Sequence, residues 1–110
     1  MIRFVDEPFM AESVTAKLSV IKWKMATGAG LTGLHFITLA DNPRDIFDIY
    51  PAPVFKQRIF RKSDRVIIGI AGNHNSAVAL VEKMIGNCAK NSGSLDDIRG
   101  YFDKYIKDHM

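Results

Sequence analysis

The chain has 110 residues, of which 47% are hydrophobic and 25% charged, with a formal net charge of +3. This length supports one domain, and the composition is typical of a soluble globular protein. No apolar run approaches the roughly 20 residues that span a bilayer, so we expect neither a membrane-spanning segment nor a membrane partner. Cys88 is the single cysteine, which excludes an intrachain disulfide and favours a cytoplasmic location. Three histidines and one cysteine fit no zinc-ligand spacing, so neither a metal nor another cofactor is expected.

The first 70 residues carry the patterns of strands and turns. Residues 1–14 contain Pro8 and mixed charges, which favours an extended arm or leader in front of a single domain over 15–110. The segment 45–50 fits a strand or a helical turn, and two prolines end it. Alternating apolar residues predict four strands, at 17–24, 34–40, 54–60 and 65–70.

Two amphipathic helices are predicted in the last third of the chain. Apolar residues at three- and four-residue spacing place them over 75–88 and 94–107. This order of elements predicts an α+β fold in which both helices cover one face of an antiparallel four-stranded sheet. The strands carry apolar residues on both faces. We therefore expect the second sheet face to be buried against another copy of the chain, giving a homo-oligomer.

The basic residues are spread along the chain instead of forming a tail. Their densest cluster, residues 56–65, is explained by the charged turn of a solvated hairpin. Nucleic-acid binding calls for a basic stripe interleaved with stacking aromatic residues, or for a recognisable reading helix. Nucleic acid is therefore not the partner that this pattern favours.

Four pieces of the sequence, taken in order, resemble a known family. They are TAKLSV from Thr15, TLAD ending at Asp41, VFKQRIF around Lys56, and DRVIIGIAG ending at Gly72, which leads into a helix. Their order and spacing are similar to those of proteasome β-type subunits, including the bacterial HslV protease subunit, which are N-terminal-nucleophile (Ntn) hydrolases. The resemblance covers residues 15–108 and only the first half of the family's domain. It implies half of the family's αββα sandwich.

The resemblance also implies an activity, which is threonine-type hydrolysis of a peptide or amide after cleavage between Val14 and Thr15. Thr15 would be the nucleophile, with its freed α-amine as general base. Lys56 would favour the deprotonated hydroxyl through its positive charge, and Asp41 would hold Lys56 charged and in place. The backbone N–H of Gly72, at the helix entrance, would receive the oxyanion. A peptide would then be the substrate.

Each of these residues also has a purely structural interpretation. Thr15 can simply open a strand, and Asp41 is a common turn residue. Lys56 can face solvent, and Gly72 can serve only to let the chain leave its strand. Two other hypotheses therefore stand beside the hydrolase. One is a non-catalytic homo-oligomeric assembly or interaction module, and the other is a small basic module that binds nucleic acid or an acidic partner.

Overall fold

The structure is a computed structural model that describes residues 2–27, 33–42 and 44–110, apart from the side chain of Arg61. The strands are β1 (Ile2–Met10), β2 (His35–Leu39), β3 (Phe47–Pro51) and β4 (Arg65–Ala71). The helices are α1 (Leu18–Thr27), α2 (Arg58–Lys62), α3 (His74–Ser92) and α4 (Ile98–Asp108), and the 3-10 helix Ala52–Lys56 precedes α2. The expected α+β fold with a four-stranded sheet is confirmed.

The sheet is mixed, so the expected antiparallel arrangement is wrong. Its strand order is β1-β4-β2-β3, with β2 antiparallel to both β3 and β4, and with β1 parallel to β4. The parallel pair arises because residues 2–10, expected to form an arm, are extended but belong to the sheet. The register of β1 shifts between Phe4 and Phe9. That interval contains Pro8, which has no N–H to donate to the ladder.

Two predicted strands, 17–24 and 54–60, are helical in the structure. In the first, the apolar residues fit both an alternation and a helical spacing, and the segment is helical in the structure. Three side chains of α1 at that spacing pack on the core, namely Leu18, Ile21 and Met25. The second segment follows Pro51 and contains Pro53, which occupies the first turn of the 3-10 helix, where a missing N–H costs nothing.

Both helices predicted near the C-terminus are present, with shifted boundaries. α3 begins one residue before its predicted start because the Asn73 side chain accepts a hydrogen bond from the Ser76 N–H at 2.8 Å. Gly93, with a φ of 73°, ends α3 later than predicted. α4 begins later than predicted because its N-cap is Asp97, whose side chain accepts from the Gly100 N–H at 2.9 Å.

The sheet has a packed core on each of its two faces. Helices α3 and α4 cover one face, as predicted, and the buried residues there are Val5, Ile37, Ile68, Leu80, Met84, Cys88 and Phe102. Helix α1 and the 3-10 helix cover the other face, where the buried residues are Ile21, Phe36, Ala52, Phe55, Ile67 and Ile70. Neighbouring residues of β4 alternate between the two cores, because successive side chains of a strand point to opposite faces.

The expectation of an uncovered second sheet face is therefore wrong. The chain covers that face with α1 and the 3-10 helix, two segments that alternation alone would make strands. The physical reason for expecting two copies to stack sheet on sheet is thereby removed.

In the described part of the chain, no helix is both long enough and apolar enough to cross a membrane.

Candidate functional site

The structure does not bring the four predicted catalytic residues into one site. Thr15 is exposed in the loop between β1 and α1, and Ser13 of the same loop contacts Gly72. Gly72 follows the β4 residue that pairs with His35, the first residue of β2. Asp41 lies beyond the last residue of β2. The rise of a five-residue strand alone separates these two ends by about 13 Å.

Asp41 forms its ion pair with Arg65 and not with Lys56. The Asp41 Oδ2 lies 2.9 Å from Arg65 Nη2. This pairing follows from the sheet, because β4 begins at Arg65 and runs antiparallel to β2, so the end of β2 meets the start of β4. Lys56 instead lies exposed at the end of the 3-10 helix and makes no ion pair with any residue that the structure describes. The predicted Asp41–Lys56 pair is therefore wrong, because residues 54–60 are not a strand beside β2.

The backbone N–H of Gly72, the predicted oxyanion donor, already has an acceptor. It donates a hydrogen bond to Ser13 Oγ at 2.9 Å. A Cβ atom at position 72 would lie 2.6 Å from the carbonyl oxygen of Ser13, which is closer than real Cβ contacts come. Glycine is therefore required here so that the loop after β1 can pack against the end of β4.

We expect Gly72→Ala to lower the free energy of unfolding by about 1–3 kcal/mol, because the backbone of the Ser13 loop must move to admit a methyl group. The matched control is Gly86→Ala in α3, where a Cβ meets nothing within 4 Å. Alanine is the better helix former, so the control should raise stability by up to about 1 kcal/mol. Urea unfolding of both variants measures the two changes. Equal effects would contradict the close contact at Gly72.

Arg65 organises the end of the sheet where Asp41 lies. Its side chain is only 15% exposed, and its guanidinium carbon lies 5.1 Å from the ring centre of Tyr50 and 5.2 Å from that of Phe60. Arg65 also donates to the Tyr50 hydroxyl at 3.0 Å, and that hydroxyl donates to Asp48 at 3.1 Å. Burial, followed by the hydrogen bond to Asp48, raises the pKa of Tyr50 above 10.0. These contacts fix Arg65 as a packing residue, with Asp41 as its exposed counter-ion.

A different set of polar residues lies on one side of the sheet, on the segments that cover the face packed by α1, the 3-10 helix and α2. We call this surface the basic face and define it by five exposed or half-exposed side chains: Lys17, Lys22, Lys24, Lys56 and Arg58. None of the five makes an ion pair with a residue that the structure describes. The basic face therefore carries positive charge that no acidic partner within this part of the chain neutralises.

The charge of the basic face is a property of its segments. Neither residues 13–40 nor residues 49–63 contain an aspartate or glutamate. The opposite side of the molecule is balanced, with equal numbers of basic and acidic residues in α3, α4 and their connection. The basic ones are Lys83, Lys90, Arg99, Lys104 and Lys107, and the acidic ones are Glu82, Asp96, Asp97, Asp103 and Asp108. A modest net charge of +3 thus conceals a strong asymmetry between the two sides.

An open groove of about 710 Å³ borders the basic face, between α1 and strand β1. Phe4, Met25 and Phe55 give the groove apolar walls, and Arg3 and Lys22 add positive charge to its lining. The Lys22 ammonium lies 5.9 Å from the ring centre of Phe4. Arg3 is partly neutralised, because one of its guanidinium nitrogens lies 3.2 Å from Asp64. The groove can hold an apolar group beside an anionic one.

This surface was not predicted from the sequence, because the alternating pattern of 17–24 and 54–60 predicted two strands of one sheet. In the predicted hairpin, Lys56 and Arg58 would belong to an isolated charged turn, which gives no reason to group them with Lys22 and Lys24. The available signal was the absence of acidic residues from 13–40 and from 49–63.

Among the residues that the structure describes, no group of three or more histidine, cysteine, aspartate or glutamate side chains could hold a metal ion.

Comparisons with known proteins do not add to this picture. No family model, no curated protein and no solved structure matches the chain.

Proposed function

We propose that this chain is a non-catalytic binding module whose basic face binds a polyanionic partner. The observation that carries the proposal is the cluster of five basic side chains without ion pairs on segments that contain no acidic residue. Like charges held together on a folded surface create a positive potential there, and this potential attracts an anionic partner. The balanced charge over α3 and α4 supplies no comparable surface.

The hydrolase hypothesis finds less support in the geometry. Thr15 and Gly72 share one end of the sheet, but Asp41 lies at the other end and is paired with Arg65. Cleavage before Thr15 would also remove β1, which contributes buried Val5 to the core.

A relationship to the Ntn family is a separate hypothesis, supported by the unit of β4, Gly72 and α3, in which a strand, a glycine turn and a helix follow as expected. That relationship would not require catalysis.

Self-association of the module is a second proposal, and it has less structural support than binding through the basic face. It no longer draws on an apolar sheet face, because both faces are covered by the chain itself. A peptide substrate likewise remains tied to the hydrolase hypothesis. The basic face is the feature that the geometry supports best.

We expect the protein to bind heparin, a generic sulfated polyanion, with an affinity that falls steeply as salt rises. If three to five basic groups of the protein contact heparin, the logarithm of the binding constant should fall against the logarithm of the salt concentration with a slope of about −2 to −4. At physiological salt, the triple variant Lys17→Gln, Lys56→Gln, Arg58→Gln should lose about tenfold or more in affinity, since each removed charge contributes on the order of 1 kcal/mol or somewhat less.

The matched control removes the same net charge from the other side of the molecule. The triple variant Lys83→Gln, Lys90→Gln, Lys107→Gln changes three exposed side chains of α3 and α4. Heparin affinity of this control should stay within about twofold of the parent, because screened charges on the far side act weakly at physiological salt. Equal losses in the two triple variants, or no binding at low salt, would contradict the proposal.

A further inference from the structure

Although the sequence led us to expect no membrane partner, we infer that the polyanion is the surface of an anionic lipid bilayer, and that apolar side chains on the basic face enter its interfacial layer. This inference rests on the proposed function and names the partner of the same surface. Two features of the basic face carry it. One is the charge described above, and the other is a set of exposed apolar side chains on the same helices.

Three large hydrophobic side chains are exposed on the helices that carry the basic face. Trp23 is 62% exposed and Val20 is 41% exposed on α1, and Ile59 on α2 is 77% exposed. Trp23 lies two residues, or about 200° of helix rotation, from the fully buried Ile21, so it points away from the sheet. Covering these side chains with an apolar layer would remove their apolar surface from water, which is favourable.

The chemistry of these side chains favours a lipid surface over a nucleic acid. Single-stranded nucleic acids are bound by aromatic side chains on which bases stack, and Trp23 is the only one of the three with an aromatic ring. Val20 and Ile59 offer no such ring, but aliphatic side chains enter the boundary between lipid headgroups and acyl chains. Tryptophan is enriched at that boundary, and lysine and arginine beside it bind anionic headgroups.

The basic charge and the exposed apolar side chains would act together in attaching the protein to a membrane. A single weak attachment gives only marginal and reversible binding to a membrane, and stable attachment combines an apolar insertion with basic residues. Lys22 and Lys24 flank Trp23 directly, and Arg58 precedes Ile59. Trp23 and Ile59 therefore each have a basic residue next to them in the sequence, which can bind a headgroup as the apolar group inserts.

The experiment uses the intrinsic fluorescence of Trp23, which is the only tryptophan in the chain. The full chain is titrated with vesicles of phosphatidylcholine containing about 30% phosphatidylserine, a charge density that attracts basic segments. We expect the emission of Trp23 to shift to shorter wavelength and the protein to sediment with these vesicles. Vesicles of phosphatidylcholine alone should give neither effect. A single-stranded oligonucleotide would quench Trp23 by stacking, without moving its emission to shorter wavelength.

Matched substitutions separate insertion from charge. Ile59→Ser should lower the affinity for anionic vesicles by about tenfold, which corresponds to the burial of a large aliphatic side chain at a partly hydrated interface. Leu95→Ser is the control, because Leu95 is 52% exposed in the connection between α3 and α4, outside the basic face. The control should bind vesicles as the parent does. Both changes lie at exposed positions, so both variants should fold.

The outcomes distinguish this inference from the proposed function. If heparin binding through the basic face holds while anionic vesicles produce no shift and no sedimentation, the lipid partner is wrong and the polyanion module stands. If neither heparin nor vesicles bind, the proposed function fails as well. Binding of the oligonucleotide at lower concentration than anionic vesicles, with quenching of Trp23, would overturn the lipid partner in favour of nucleic acid. Equal effects of Ile59→Ser and Leu95→Ser would overturn insertion.

Discussion

Removal of residues 1–14 is expected to unfold the protein. They include β1, which pairs with β4 and contributes Val5, with no exposed surface, to one core. Phe4 packs edge-on against Phe36, with ring centres 5.8 Å apart. Each such side chain contributes roughly 1.5–3 kcal/mol by burial, and a domain of this size is stable by only about 5–15 kcal/mol. Circular dichroism and thermal unfolding of the 15–110 fragment measure the loss.

A point substitution provides the control for that deletion. Glu12→Ala changes an exposed side chain between β1 and α1 and should leave the free energy of unfolding within about 0.5 kcal/mol of the parent. The deletion should instead abolish the cooperative transition. A 15–110 fragment that melts cooperatively near the temperature of the full chain would contradict the place of β1 in the sheet. It would also make N-terminal processing physically acceptable.

Phe36→Ala and Phe102→Ala should each lower the free energy of unfolding by about 3–5 kcal/mol. Phe36 is fully buried on the face covered by α1, and Phe102 is fully buried on the face covered by α4. Phe102 contacts the rings of Phe9 and Phe47, with centres 6.1 Å and 5.1 Å away. Similar losses on both faces are expected because the chain buries both. Urea unfolding at two protein concentrations provides the values.

The control for these substitutions is Ile59→Ala, which truncates a side chain that is 77% exposed and should change stability by less than about 0.5 kcal/mol. A loss below about 1 kcal/mol for Phe36→Ala would mean that its face is not packed in the isolated chain. Stability that rises with protein concentration would mean that a second copy covers that face. Either result would restore the expectation of sheet-to-sheet association.

The unit formed by β4, Gly72 and α3 could be predicted from the sequence because its signals are local. A short run of branched apolar residues predicts a buried strand, and the polar residues after Gly72 include Asn73, the observed N-cap. The apolar faces of α3 and α4 could be predicted for the same reason. These patterns depend on residues that lie within a few positions of one another.

The mixed sheet and the candidate site could not be predicted in this way, because both depend on distant partners. Pairing of β1 with β4 joins segments about 60 positions apart, and nothing in a charged segment containing Pro8 indicates that partner. The ten residues of α1 contain apolar positions that fit a strand and a helix equally well over a short window. The pairing of Asp41 with Arg65 follows only once β2 and β4 are known to be neighbours.

The measurement that tests binding against hydrolysis most directly is the intact mass of the purified protein, with sequencing of its N-terminus. A binding module that needs β1 for its fold should retain the residues before Thr15 after prolonged incubation at neutral pH. The hydrolase hypothesis instead requires a free α-amine on Thr15, because that amine is the general base. We therefore predict a single species that still contains residues 2–14. A folded species that begins at Thr15 would contradict the account.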